Sequence, residues 1–532
     1  MKIYFKFWHG IALLFLVASA LCIPFLDNPL FFDDLNFFSP QGPVGFLEQG
    51  FSLAPRWWVY QALAATYVHF DGGVAWLRLG NFLLHFCVAL VLACFIREVL
   101  RDIDQRITSP VSVDVAACLA ALLFVVHPLS IFTQGYLIQS TIIAATLFFI
   151  LSLLAFWRAL SGSLLALLGF CVFSVLSMYA KEHAVMLPAA AFLMLVLRWR
   201  SGLLLSMPLS VVLGALFVVG AFSLLLVLNF GGHIGAAYEA QAGELLKGEE
   251  VDWLYLKSIL NQAGLFFKYI SLWGLILPGS ISVDIKQVFP SSLSDWKLWL
   301  GAAAYTIYIV GSMFLLWRGG VRGLLGVGLL IPGVMFLTEF SSVRVQEPFV
   351  IYRSYLWAPF IFVCLAVAVR RVRVRVALLS VFLIGLVFVG LSMQRLKTFS
   401  NPVLIWFEAA NVYESSFPGV DVLSAYRIYY NLGTHLKSIG AFEASLAAFN
   451  RALELKPGDG YVLNNRGSLY IKMKMYAAAQ HDYEQAVKFF PQKFEAWNGM
   501  ANALKAQGKS AEAQRAWQVS CTLRGVSPCP AL

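Results

Sequence analysis

The run Tyr429–Pro457, YYNLGTHLKSIGAFEASLAAFNRALELKP, is followed by a second stretch of the same design, LNNRGSLYIKMKMYAAAQHDYEQAVKFFP at 463–491. A shift of 34 residues places Gly433 on Gly467 and then on Ala501, and Tyr430 on Asn464 and Asn498. It also places Ala444 on Ala478, Ala452 on Ala486 and Pro457 on Pro491. Small residues recur where two helices must cross closely, and a proline closes each unit where a helix cannot continue. A third stretch, WNGMANALKAQGKSAEAQRAW at 497–517, continues the pattern. A helix pair of this size cannot bury its apolar face alone. Successive pairs therefore stack, and the stack leaves a concave face. Residues 421–532 accordingly read as an α-solenoid of about three repeats. The concave face suits a peptide or protein partner, with a rigid spacer or a dimerisation element as the alternative uses.

Upstream the composition changes. The 532-residue chain is 60% hydrophobic and only 13% charged, against about 25% charged in ordinary soluble domains. From Met1 to about Met393 one apolar stretch follows another, so 1–393 reads as a polytopic membrane domain and 394–420 as a linker to the repeats. Stretches apolar enough to cross run roughly 8–26, 75–96, 111–126, 136–157, 163–179, 184–197, 202–228, 297–316, 321–337, 354–369 and 376–392. Lys2 and Lys6 precede an apolar run with no small-residue cleavage site, so Met1–Leu26 is expected to be a retained first span. The expected fold is all-α: about eleven spans followed by the solenoid.

The formal net charge is +10, and residues 421–532 contribute 13 Lys/Arg minus 8 Asp/Glu, or +5. The remainder lies mostly at segment ends, as expected for a protein embedded in a lipid bilayer, and no nucleic-acid module accompanies it. With the N-terminus inside, every strongly basic loop falls on the inner side. These loops hold Arg97, Arg101 and Arg106; Arg158; Arg198 and Arg200; Arg318 and Arg322; and Arg370, Arg371, Arg373 and Arg375. The placement requires 261–277, which ends in Pro278 and Gly279, to be re-entrant or interfacial. The outer side then receives the solenoid and the polar residues that stand out from apolar surroundings: Asp33, Asp34, Arg56, His127, Lys181, Glu182, His183, Asp284, Glu347 and Arg353. Of these, Asp33 and Asp34 lie in FFDDLNFF (31–38), just past the first span. Carboxylates wedged between phenylalanines at a membrane boundary are costly to keep, which suggests an enzyme working at the bilayer surface.

The order of motifs along the chain is specific. FFDDLNFF is followed by HPLSIFTQGYLIQS (127–140), AKEHAVMLPAAAF (180–192) and YISLWGLILPGSISVDI (269–285). FLTEFSSVRVQEPFVIYRSYLWAPF (336–360), RLKTFSNPVLIWFEAA (395–410) and the repeats complete the series. The repeats resemble tetratricopeptide (TPR) repeats. The whole series resembles the transmembrane-and-TPR O-mannosyltransferase (TMTC) family and its bacterial relatives, which are GT-C glycosyltransferases. The resemblance implies transfer of a sugar from a polyprenyl phosphate or pyrophosphate to an extracytoplasmic acceptor: protein Ser or Thr, with pilin one candidate, docked on the TPR domain. It also implies a bacterial inner membrane with the site and the TPR domain on the periplasmic side. Asp33 and Asp34 match the acidic pair of the family's first outer loop, and Lys181 and Glu182 match its KE motif. Glu347, Arg353 and Tyr355 match an acidic-then-Arg-x-Tyr motif. The chain departs from the family at His183, at Pro348 and in having only about three repeats, so sugar and acceptor identity do not carry over.

Such a transfer needs a general base for the acceptor's proton and cations for the leaving phosphate. Asp33 or Asp34 fits the base, with the family pattern favouring Asp33 and a helix cap as the structural alternative. Lys181, Arg353 and Arg56 fit a phosphate cradle, since Arg clamps phosphate bidentately. Against this, Lys181–Glu182 also reads as an ion pair at a helix end and Arg353 as an interfacial anchor. His127 reads as a phosphate donor or as a loop histidine with a local bond. Gln134 and Gln139 read as sugar contacts or as ordinary polar residues. Glu182, His183, Asp284, Glu347 and Tyr355 are expected to support the site. No His/Cys cluster suggests zinc. Asp33, Asp34 and Glu182 offer oxygen ligands for a divalent cation, yet with Lys and Arg available for the phosphate the expected mechanism needs no metal and no other cofactor. In an oxidising compartment Cys521 and Cys529 would pair. A glycan polymerase or ligase, or a lipid-glycan modifying enzyme, is the nearest alternative. A non-enzymatic membrane-anchored TPR scaffold and a transporter are the alternatives of other classes. The outward cluster of Asp, Lys and Arg argues against the scaffold, and the lack of an inverted repeat of broken helices argues against the transporter.

Overall fold

The computed structural model describes residues 7–39, 41–104, 109–245 (backbone only from 231), 252–274, 281–345, 347–419, 422, 424–526, 528–530 and 532. Lys2, Lys6, Arg106, Pro278, Gly279 and Asp421 lie outside the described residues. The chain divides into two units, Met1–Ile281 with Phe289–Asn401, and Ser282–Val288 with Pro402–Leu532. Among the described residues every regular element is a helix.

The first unit opens with α1 (Phe7–Cys22), followed by the short α2 (Asp33–Phe37) and α3 (Gly42–Glu48) and by α4 (Trp57–His69). Then come α5 (Val74–Ile103), α6 (Val113–Val125), α7 (Pro128–Gly135), α8 (Ser140–Ala159), α9 (Leu164–Ala180) and α10 (Leu187–Arg200). They are followed by α11 (Leu209–Leu245), α12 (Leu254–Gly274), α13 (Trp296–Trp317), α14 (Gly320–Phe336), α15 (Pro359–Val369) and α16 (Val374–Thr398). Ser112 and Ser163 cap α6 and α9 by accepting from Val115 N–H and Ala166 N–H. Close helix packing uses small residues, as apolar surroundings require. A Cβ on Gly301 of α13 would lie 2.8 Å from the Cα of Gly264 in α12, and one on Gly328 of α14 would lie 2.5 Å from the sulfur of Cys364 in α15.

By length and composition, eight helices among the described residues can cross a membrane. The count is nine if α6 and α7, bent by 55° at their junction, form one span. α9 and α15 are apolar but shorter. The differences from the eleven expected stretches have local causes. His127 precedes Pro128, which forces it into an extended conformation (φ −69°, ψ 130°) and breaks the span begun by α6. The stretch expected at 354–369 starts as a 3₁₀ turn, Ile351–Leu356, and becomes α-helical only from Pro359. The region read as a linker, 394–420, contains the end of α16 and a helix, α17 (Pro402–Ser416), that belongs to the second unit. Its apolar face, including Ile405, Ala409 and Tyr413, is buried.

The basic loops meet at one end of the first unit. Arg97 and Arg101 pair with Asp114, and Arg158 pairs with Glu98. Arg370 pairs with the buried Asp104 and donates to the Val111 carbonyl at 3.2 Å. Trp157 Nε1 donates to Asp102, Arg198 lies over the Trp157 ring, and Arg200 donates to the Trp317 carbonyl. Every helix entering or leaving these loops has its other end elsewhere. The far ends of α9, α14 and α16 and the near ends of α5, α10 and α15 adjoin the segments that carry Asp33, Arg56, Lys181 and Arg353. The division seen in the sequence between basic loops and outlying polar residues is thus a division between two ends of a helix bundle. Over the 17 residues of α9 the two ends stand about 25 Å apart.

The second unit stacks α17 on three helix pairs: α18 (Tyr426–Ser438) with α19 (Phe442–Leu455), α20 (Gly460–Lys472) with α21 (Tyr476–Phe489), and α22 (Phe494–Ala506) with α23 (Ser510–Leu523). The repeating glycines sit where the helices touch. A Cβ on Gly433 would lie 2.8 Å from the Phe449 ring, and one on Gly467 would lie 3.1 Å from the Tyr483 ring. Cys521 and Cys529 form a disulfide, with Cα atoms 5.7 Å apart, that ties the tail to α23.

Reporter fusions after Arg200 and Arg373 are expected to report one side of the membrane and a fusion after Ser39 the other. All three on one side would dismantle the two-ended arrangement.

Candidate functional site

Aromatic packing holds the Asp33–Asp34 loop. Phe31 is buried edge-on against Phe399, Phe32 packs on Tyr136, Phe37 on Tyr60 and Phe38 on Tyr67. Arg78 of α5, itself buried, fastens the loop from below. It donates to the carbonyls of Asn28 (2.7 Å), Pro29 and Gly135 (3.0 Å). Phe32 has φ 54°, a left-handed backbone angle that is strained for a phenylalanine, immediately before the aspartates.

The two carboxylates part company. Asp34 is fully buried, and its oxygens accept from the backbone N–H groups of Leu137 (3.0 Å) and Ile138 (2.8 Å). These amides open the turn that leads into α8, so Asp34 caps that helix across the chain. Burial pushes its carboxyl up to about 7, against the pull of the two amides and Arg78. Asp33 is exposed, and its Oδ2 accepts from the Tyr136 hydroxyl at 2.5 Å. Burial, then the Asp33 carboxylate, holds the Tyr136 phenol well above its usual range, so Tyr136 remains a donor.

A charged network lies next to this pair. Arg56, in the left-handed region at φ 69°, clamps Glu182 through Nε (2.9 Å to Oε2) and Nη2. Its own N–H donates to the Tyr179 carbonyl, which fixes the start of α4 to the end of α9. Lys181 ends α9, is 5% exposed, and places Nζ 3.9 Å from Glu182 Oε1. His183 stands between two acids, with Nδ1 3.3 Å from Glu182 and Nε2 3.5 Å from Glu339. The Nδ1 approach lacks hydrogen-bond alignment. Glu339 lies in the 3₁₀ turn Leu337–Ser341 and pairs with Arg344 (2.9 Å) and Arg353 (3.2 Å). A small cavity borders it, lined by His183, Tyr269, Thr338, Glu339, Arg353 and Trp357 among others. Tyr60 joins the two parts of the site: it lies against Arg56 and feels the charges of Glu182 and Asp33. Burial pushes the Lys181 ammonium down to about 7, opposed by Glu182, while Arg56 and Arg353 lower it further.

Asp33, Asp34, Arg56, Lys181, Glu182, His183 and Arg353 therefore gather as the sequence suggested. Other expected members do not. His127 is fully buried, caps α7 by accepting from Leu129 N–H at 3.3 Å, and stacks on Trp273 at 4.5 Å. This is the local role that stood as its alternative. Tyr355 is fully buried and bonds His85 Nδ1 at 2.5 Å, while His85 Nε2 lies 3.1 Å from the Val125 carbonyl. Nε2 must donate there, so Nδ1 accepts from the tyrosine. The pair ties the 3₁₀ turn Ile351–Leu356 to α5 and α6 and lies in the helical core. Asp284 belongs to the other unit and pairs with the buried Lys286 at 2.8 Å. Glu347 is half-buried in the loop ahead of Arg353, close in the chain to the network that Arg353 joins through Glu339. Gln134 is held in the core by Cys22, whose Sγ–H donates to its side-chain oxygen at 3.4 Å. Gln139 is buried just past the amides that Asp34 caps, and its Oε1 meets no partner among the described residues.

Glu339, Arg344, Tyr136, Tyr60 and Arg78 were not singled out from the sequence. Glu339 carried a usable signal, an acid at the end of an apolar helix. Tyrosines in an aromatic-rich chain carry none. Asp33, Asp34 and Glu182 do not converge on a point. Asp34 is committed to amides and Glu182 to Arg56, and no group of three or more His, Cys, Asp or Glu is arranged for a metal among the described residues.

Two stability effects follow. Asp34→Ala, which strands two buried amides, is expected to cost about 2 kcal/mol. Glu339→Gln, which leaves buried arginines without their counter-charge, is expected to cost about 3–5 kcal/mol. Asp33→Asn is expected to leave the unfolding midpoint unchanged. Thermal unfolding of the purified variants in detergent checks all three.

The tetratricopeptide repeat family model matches residues 426–459 and 461–493, which are the helix pairs α18–α19 and α20–α21. The C-terminal unit therefore carries tetratricopeptide repeats.

Proposed function

We propose that the chain is a membrane glycosyltransferase of the GT-C type. It moves a sugar from a polyprenyl-phosphate-type lipid to an extracytoplasmic acceptor, a protein Ser or Thr hydroxyl in the first instance. The observation that carries the reading is the pairing of one exposed carboxylate, Asp33, with a cation-rich network at the same end of the bundle. In that network Arg56, Lys181, Arg344 and Arg353 gather around Glu182 and Glu339. Cations gathered in a low-dielectric site suit a phosphate-bearing ligand.

In this reading Asp33 accepts the proton of the acceptor hydroxyl. The hydroxyl oxygen bonds to the anomeric carbon as the bond from that carbon to the phosphate oxygen breaks. Direct displacement inverts the anomeric centre. The leaving phosphate takes the bonding pair, and Lys181, Arg56 and Arg353 balance its charge. Tyr136 holds Asp33 by donating to one oxygen, which leaves the other for the acceptor. Asp34 positions the loop and takes no proton from the acceptor. The motif order along the sequence supports the same assignment, as does strained backbone at Phe32, beside Asp33, and at Arg56, which clamps Glu182. The segregation of basic loops to the far end favours a periplasmic site in a bacterial inner membrane.

Transfer assayed with purified protein in nanodiscs and a lipid-linked sugar tests the proposal. Asp33→Asn is expected to lower kcat by roughly 10²–10⁴ with folding intact. Near-normal turnover in Asp33→Asn would refute the assignment. Lys181 supplies a pH signature. Its ammonium is charged below about 7 and lost above it, so the donor KM is expected to climb as the pH passes upward through that value. Lys181→Arg, which keeps its charge, is expected to flatten the climb. A profile identical in both proteins would remove Lys181 from the donor site.

A further inference from the structure

A second cavity, larger than the one beside Glu339, opens on the first unit along α8 and α9. Its volume is about 470 Å³, within the range of about 300–1,000 Å³ usual for sites that hold a small ligand. Its lining is apolar, with Leu151 and Leu154 from α8 and Leu168 and Val172 from α9, except at one end. There Arg158, in the last turn of α8, and Ser163, the cap of α9, supply the polar groups. Both lie at the basic end of the bundle, away from Lys181 at the other end of α9.

The groove follows from small residues where the two helices meet. Ala155, Ala166 and Gly169 line it, and a Cβ on Gly169 would lie 3.6 Å from the Cβ of Ala155. Bulk is missing along this seam, while Leu165 and Leu168 stand exposed beside it. From Ser163 to Phe173 the lining follows α9 for about 15 Å, half of the roughly 30 Å hydrocarbon core of a bilayer. The groove therefore has the depth of one leaflet, with its polar end at the level of the headgroups.

Arg158 is placed to hold an anion there. Its Nε and Nη2 donate to Glu98, at 2.9 Å and 2.7 Å, and the side chain is half exposed. Nη1 has no partner among the described residues. Ser163 Oγ accepts from Ala166 N–H, which leaves its hydroxyl proton to donate. A free guanidinium edge and a hydroxyl above an apolar trough match a phosphate ester that carries a fatty chain. A soluble anion would leave the trough unfilled, and an uncharged chain would leave Nη1 unmatched.

We infer that this groove is a site for an anionic phospholipid of the leaflet at the basic end. One acyl chain lies along α8 and α9, and the phosphate rests on Arg158 and Ser163. Glu98 already takes up part of the Arg158 charge, so the chain supplies most of the hold and the headgroup charge a modest preference. Such a site requires the chain to sit in a bilayer but no transferase activity, so its absence leaves the proposed reaction untouched.

Native mass spectrometry of the full-length protein in detergent reads the affinity of the first bound lipid. The probes are phosphatidylglycerol and phosphatidylcholine with the same acyl chains. Phosphatidylglycerol is expected to bind about fivefold tighter, the effect of one basic side chain near an anionic lipid. Arg158→Gln is expected to erase that preference, and Glu98→Gln, which frees the guanidinium, to widen it. Gly169→Leu fills the trough with a better helix former and is expected to weaken both lipids by about tenfold. Glycerol 3-phosphate, a headgroup without chains, is expected not to compete. If Arg158→Gln does not fold, Glu98→Gln and Gly169→Leu decide. Equal binding of the two lipids, a preference unmoved by the charge variants, lipid affinity unmoved by Gly169→Leu, or competition by glycerol 3-phosphate would overturn the inference. A polyprenyl phosphate that binds tighter than phosphatidylglycerol and is lost in Gly169→Leu would overturn it in favour of the donor's own tail.

Discussion

The site depends on keeping charge at the end of an apolar helix bundle. Glu182 and Glu339 are almost fully buried, as are Lys181, Arg344 and Arg353. Isolated, each would carry a desolvation penalty of several kcal/mol. They persist because each acid has more than one cation within reach, and because the carriers arrive from separate elements. Arg56 begins α4, Lys181 ends α9, Glu339 follows α14, and Arg353 precedes α15. The network therefore does two jobs. It joins helix ends that come from distant parts of the chain, and it gathers cations at the end of the bundle that carries Asp33.

That loop shows how two adjacent residues of one type acquire different chemistry. Asp34 falls on the inner side of the turn and is used up by the amides that begin the 3₁₀ turn ahead of α8. Asp33, one residue earlier, is displaced outward, stays exposed and accepts from the Tyr136 hydroxyl. The strained φ of Phe32 makes this divergence possible, and the packing of Phe31 on Phe399 holds the strain in place. The backbone cost, of the order of 1–3 kcal/mol, is borne by an aromatic cluster that the sequence announces as FFDDLNFF.

The second unit is simpler in its physics. Glycines at the crossing points admit the rings of Phe449 and Tyr483, and Arg466 of α20 meets Asp482 of α21 within its repeat.

Much of this was legible in the residues. The 34-residue period called for stacked helix pairs, and hydropathy placed a helix in each apolar stretch, because both signals are local and repeat many times. The separation of basic loops from Asp33, Arg56, Lys181 and Arg353 was also visible, since chain direction alternates with each long apolar helix. What the sequence left open was which aspartate is free, which acid pairs with Arg353, and whether His127, Tyr355 and Asp284 belong to the site. Glu339, eight residues before the Glu347 of the motif, pairs with Arg353. His127 and Tyr355 turned into the core, and Asp284 went to the other unit. These outcomes turn on a few ångströms of side-chain direction at helix ends. There the periodicity that makes a helix readable stops, and only contacts between segments distant in the chain decide where a polar group points.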